Sequence, residues 1–195
     1  MKKLNFIKTL VSKENFKERE VVGNITFIRL DANEQADGMV LATECSIPTG
    51  ELDESELSIQ YEAWKEKVQA AALEQAKKAK IAEIIAYDTS SSVNGFLLNG
   101  LLVWLDKATR VGLMNSTTIA KAAGQQTTTL WLGGIKLVVD CDKAIQLLSA
   151  LEMYALECFN VTASHKAVVS ELKSIEKVET YDYKAGYPKM LEMSV

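Results

Sequence analysis

The chain has 195 residues, 48% hydrophobic and 25% charged, with a formal net charge of −4, two prolines and three cysteines. That length allows one ordinary domain or a small domain with an extension, and the apolar fraction is ample for a packed core, so wholesale disorder is excluded. No window approaches the ~18 consecutive apolar residues of a membrane span. Lys8 interrupts the apolar run behind the basic head, which argues against a signal peptide. An odd set of widely spaced cysteines without a CxxC pair argues against a disulfide framework. The expectation is a soluble chain made in a reducing cytoplasm.

Residues 1–50 read as a basic lead-in (Lys2, Lys3, Lys8, Lys13, Lys17 and Arg19) followed by strands. Val21 to Leu30 is rich in β-branched residues, Asp31 to Gly38 is polar and closes on an Asp-Gly turn pair, and Gly38 to Ile47 reads as a second strand. This predicts a small antiparallel hairpin, which must pack on something because two strands are barely stable alone. Acids then dominate, with no base between Arg29 and Lys65. Glu51, Asp53, Glu54 and Glu56 suit the positive end of a following helix.

That helix is expected over Asp53 to Ala86, which holds no Gly or Pro and few β-branched residues. At 1.5 Å per residue it makes a rod of about 50 Å. Leu57, Tyr61, Trp64, Val68 and Ala71 follow the 4-3-4-3 spacing of a coiled-coil seam. So narrow a stripe needs a partner helix, either from another subunit, making the chain a dimer or trimer, or from within the chain. Lys77, Lys78 and Lys80 read as a solvated face.

From Tyr87 the pattern is that of a compact α+β unit. Val93 to Leu98 and Leu101 to Trp104 flank Asn99-Gly100, the pair suited to a type I′ turn. Asp106 can cap a helix running to Ala123 and ended by Gly124. Thr127 to Leu132 and Ile135 to Val139, joined by Gly133-Gly134, make a second hairpin. A long helix follows from Asp140 or Asp142, with apolar positions Ala144, Leu147, Leu148, Leu151, Tyr154, Ala155, Phe159 and Ala163, continuing through Val168, Val169 and Leu172. A short helix (Ser174 to Glu179) and a tail complete the chain. The expected fold class is α+β, divided into a small β region (1–50), a helical connector (51–86) and a C-terminal domain (87–195).

Catalytic chemistry finds little footing. Cys158 and His165 are seven apart on one predicted helix, about 10 Å along its axis and beyond hydrogen-bond reach, so Cys158 reads as a core residue. One histidine and no cysteine cluster exclude the usual zinc sites; His165 is expected to bond a backbone group or a hydroxyl such as Thr162. Neither GxGxxG nor GxxxxGK[ST] occurs, and Asp140 and Asp142 do not meet EF-hand spacing. The net acidic charge is unsuited to phosphate backbones, so nucleic acid is not an expected partner. Trp104 and Trp131 fall in hairpins, where cross-strand packing is their default use. Asp106 and Arg110 stand in an i,i+4 relation that suits an ion pair. The expectation is a non-catalytic protein without cofactor or metal.

Several stretches point further: Ala86-Tyr87-Asp88, Ser92 to Phe96, Asn99-Gly100, Trp104 to Arg110, Thr129-Leu130-Trp131, Leu148 to Ala155, Cys158, Val161-Thr162 with His165, Tyr181-Asp182-Tyr183, and Gly186-Tyr187-Pro188. In this order they resemble an uncharacterised domain family of phage and prophage proteins encoded near tail and tail-fibre genes, over about Tyr87 to Met193. No catalytic residues come with that resemblance. It implies structural places for Trp104, Asp106, Arg110, Trp131, His165, Tyr183 and Tyr187, and a tail-module component assembling with other tail proteins. Such a protein would reside in the virion tail, or in the host cytoplasm during assembly; the alternative is a tail-fibre assembly chaperone that does not stay in the virion.

Overall fold

Four strands open the computed structural model, which describes residues 3–195: β1 (Phe6–Ser12), β2 (Arg19–Val22), β3 (Ile25–Glu34) and β4 (Met39–Pro48). They form one antiparallel sheet in the order β1-β4-β3-β2, larger than the expected hairpin. β1 lies in the basic lead-in. On this edge strand only Phe6 is buried, so the alternation that marks a half-buried strand is missing. The single strand expected over Val21 to Leu30 is split at Gly23, whose φ of 59° makes a tight turn between β2 and β3. A bulge follows Leu30, where the register with β4 shifts and Asp31 takes a φ of 50°. Part of the uneven charge pairs across this sheet. The nearly buried Arg29 has its Nε 2.8 Å from Glu44 and its Nη1 3.1 Å from Glu20.

Asp53 starts α1 (Glu54–Asp88), its Oδ1 accepting the backbone N–H groups of Ser55 at 2.9 Å and Glu56 at 3.1 Å. The chain divides into two compact units, Met1–Ala72 and Leu73–Val195. The boundary between them falls inside this helix. In the first unit Leu57 and Tyr61 are buried and Trp64 half-buried against Phe6, Ile28, Cys45 and Ile47. The Tyr61 and Trp64 rings stack at 5.7 Å, and Phe6 lies 5.3 Å from Tyr61. Leu57, Tyr61 and Trp64 of the expected seam pack on the chain's own sheet, while Val68 and Ala71 are exposed.

The second unit is built from the last turns of α1 with α2 (Ser91–Asn94), β5 (Gly95–Leu98), β6 (Leu101–Trp104), α3 (Lys107–Ala122), β7 (Thr127–Leu132), β8 (Ile135–Asp140), α4 (Cys141–Glu171), α5 (Ile175–Glu179) and β9 (Leu191–Met193). The whole is α+β, with N-terminal strands, a long helix, and then strands and helices. Both predicted hairpins form. Asn99 and Gly100 have φ of 50° and 81°, and Gly133 and Gly134 57° and 87°, the left-handed pair that a type I′ turn requires. β9 pairs parallel to β5; at three residues it is too short to show a period in the sequence.

Phe96, Leu98, Val103, Leu130, Leu132, Leu148 and Leu151 form the main core. A smaller cluster gathers Ile84, Val169 and Val178 with Leu73, Ile81 and Tyr183. Lys77 is buried there and donates to the Ser170 carbonyl at 2.7 Å, so it does not belong to the solvated face expected of it. Three apolar positions assigned to the inner face of α4 point outward: Phe159, Ala163 and Val168. The buried line runs through the expected Leu151, Tyr154, Ala155, Cys158 and Val169, and through Thr162. One residue, or about 100° of helical turn, separates Phe159 from it.

Candidate functional site

Asp106 precedes α3 with extended backbone, its Oδ1 accepting the Thr109 backbone N–H at 2.9 Å and its Oδ2 the Thr109 hydroxyl at 2.6 Å. These donors hold its carboxyl below the ordinary value. Both oxygens being spent on the cap, Arg110 turns elsewhere. Its Nε lies 2.8 Å from Glu152 Oε1 on α4 and its Nη1 donates to the Leu105 carbonyl at 2.9 Å. The i,i+4 pair with Asp106 therefore does not form; capping won over the ion pair.

This arrangement makes the floor of a cavity of about 700 Å³, inside the ~300–1,000 Å³ range of ligand pockets. The walls are Trp104, Leu105, Ala155, Leu156 and Phe159, and Asp88, Thr89 and Asn94 close the side nearest α2. Arg110 is 8% exposed, whereas Trp104 is 42% and Phe159 60% exposed. Ser90 caps α2, and the Asn94 side-chain amide donates to the Asp88 carbonyl at 2.5 Å, which fixes the turn between α1 and β5. The Tyr154 hydroxyl and the Cys158 thiol both donate to the Val93 carbonyl, at 2.5 and 3.5 Å, and tie α4 beneath that turn. Burial pushes the Tyr154 phenol up to about 12 and raises the Cys158 thiol. Cys158 is thus a fully buried thiol held in its protonated form, the opposite of an activated nucleophile.

Beside the cavity, Asp88 links it to a polar and aromatic cluster. The Thr162 hydroxyl donates to Asp88 Oδ1 at 2.8 Å and lies 2.8 Å from the Tyr187 hydroxyl. His165 Nε2 donates to the Ala185 carbonyl at 2.9 Å, and Nδ1 lies 2.8 Å from the Tyr181 hydroxyl. The expected Thr162 partner is engaged elsewhere. Tyr87 sets its ring edge-on to both Tyr183 and Tyr187, at 5.7 and 5.6 Å.

The fold thus brings Trp104, Asp106 and Arg110 to the cavity, and His165, Tyr183 and Tyr187 to the cluster next to it. Trp131 joins neither; it lies on β7 opposite Lys136, 58% exposed. Sequence reasoning assigned no role to Asp88 or Glu152 and took Phe159 for core. Only Glu152 carried a local signal, a carboxylate on the α4 turn between Leu148 and Ala155. Among the described residues no group of three or more His, Cys, Asp or Glu could hold a metal ion, and no helix is long and apolar enough to cross a membrane.

The cavity, rimmed by Trp104 and Phe159, lies on the α+β second unit. The chain belongs to the family described as Domain of unknown function (DUF4376), whose model matches residues 75–185, more than half of the sequence. The match contains α2 to α5, and with them the cavity and the Tyr–His cluster apart from Tyr187. No curated protein and no solved structure matches the chain.

Proposed function

We propose that this protein is a non-catalytic component of a phage or prophage tail module that acts by protein–protein assembly. The resemblance noted over Tyr87 to Met193 supports the tail setting. The observation that carries the assembly role is the aromatic-rimmed cavity, with Trp104, Leu156 and Phe159 exposed around a floor where Arg110 is paired with Glu152. Large apolar side chains grouped at a surface mark interaction sites, whereas the Arg110–Glu152 pair and the Asp106 cap are engaged in holding the fold. A homo-oligomer, dimer or trimer, would use the exposed Val68 and Ala71 on α1.

Mass spectrometry of purified particles tests the proposal. The chain is expected in tails at a fixed ratio to the other tail proteins. Its absence from particles combined with co-purification with the fibre protein from cytoplasm would favour the second reading, a tail-fibre assembly chaperone released before the virion is complete. Absence from both would overturn both.

A further inference from the structure

Five charged residues line the cavity: Asp88, Asp106 and Glu152 against Lys107 and Arg110. Glu152 neutralises Arg110, while Asp106 and Lys107 are exposed to solvent. Asp88 differs from these. It is half-buried, its carboxylate meets only the neutral Thr162 hydroxyl at 2.8 Å and the Asn94 amide at 3.5 Å, and no cation lies within ion-pair distance of it among the described residues. A carboxylate drawn out of water gains most from an opposite charge supplied at close range. The same cavity offers aromatic faces at Trp104 and Phe159, which attract a cation by their ring quadrupoles.

We propose that this cavity receives a lysine or arginine side chain presented by a partner protein, with the cationic head at Asp88 and the aliphatic stem along Leu156 and Phe159. The remaining guanidinium N–H groups of Arg110, which have no partner among the described residues, meet the partner's backbone carbonyl. The Arg110–Glu152 pair is neutral as a couple, so it selects a neutral acceptor and does not repel the incoming cation. That the cation belongs to a protein rests on the assembly reading; the charge and shape of the cavity do not.

The test uses the full chain, ¹⁵N-labelled, titrated with N-acetyl-lysine methylamide and with its uncharged isostere N-acetyl-norleucine methylamide. The lysine compound is expected to shift the Trp104 indole N–H and the amides around Asp88 to Asn94, binding about tenfold tighter than the norleucine compound, a difference of about 1.4 kcal/mol. Asp88→Asn keeps an acceptor for Thr162 and should abolish the difference between the two. Phe159→Ala, at an exposed position, should weaken both compounds while leaving the fold intact. Equal binding of the two compounds, a silent titration, or an unchanged preference in Asp88→Asn would overturn the proposal. A small amine binding as well as the lysine compound would show a site for free amines and overturn the peptide part. A silent titration would leave the tail reading standing, and absence from particles would leave the cation site standing, so the two failures are distinguishable.

Discussion

Arg110 and Glu152 join α3 to α4 beneath the cavity, Nε to Oε1 at 2.8 Å across 42 residues of sequence. The arginine is nearly buried while the glutamate keeps about a third of its side chain exposed, so solvent moderates the pair without replacing it. Removing one partner leaves the other charge in an apolar setting. Glu152→Gln should lower the stability of the second unit by about 1–3 kcal/mol, read as an earlier urea midpoint with an unchanged slope. A midpoint equal to wild type would show that the pair contributes nothing.

Acid should weaken the start of α3. The folded carboxyl of Asp106 lies below its ordinary value of 3.8 because the Thr109 hydroxyl and N–H donate to its charged form. Its contribution is therefore complete above the unfolded value and is lost as pH falls below about 4. Asn also caps helices and does not titrate, so Asp106→Asn should flatten the acid limb of a stability–pH curve. An identical acid limb in the variant would assign that loss to other carboxylates.

Alkali should loosen α4 from α2. Burial holds the Tyr154 phenol protonated to about 12 in the folded chain, against 10 in the unfolded one. Its contribution is full below pH 10 and is lost as pH climbs toward 12; the raised Cys158 thiol adds a loss beginning near its own ordinary value of 9. Tyr154→Phe removes the bond to the Val93 carbonyl, should cost about 1 kcal/mol at neutral pH, and should shrink the alkaline loss. Denaturant midpoints between pH 8 and 11 measure both effects.

Trp64 and Val68 should separate folding from association. Trp64 packs on Phe6 and Tyr61, so Trp64→Ala should destabilise the first unit by about 1–3 kcal/mol, less than a fully buried tryptophan would. Val68 is exposed, so Val68→Lys should leave the thermal midpoint unchanged and lower the mass measured by light scattering. A strictly monomeric wild type would remove the oligomer from the account.

Local signals were legible in the sequence wherever they decide local structure. Asn99-Gly100, Gly133-Gly134, the Asp106 cap and the extent of α1 all rest on interactions within a few residues. What escaped depends on distant partners. β1 looks like a basic tail until β4 lies beside it, and Trp64 looks like a seam residue until Phe6 is placed against it. Arg110 looks like the partner of Asp106 until α4 brings Glu152 within reach. The cavity was illegible for the same reason, its lining coming from segments between Asp88 and Phe159 that only the fold assembles. Phe159 shows how small the margin is, since one helical step exchanges core for rim.

The most direct test of the assembly role is the recovery of Phe159→Asp in purified tail particles, quantified against wild type. Phe159 is exposed and lies outside the buried face of α4, so the variant should fold and melt as wild type does. Wild-type chain is expected in particles, with the variant absent or depleted about tenfold or more. Incorporation of the variant at the wild-type level would contradict it.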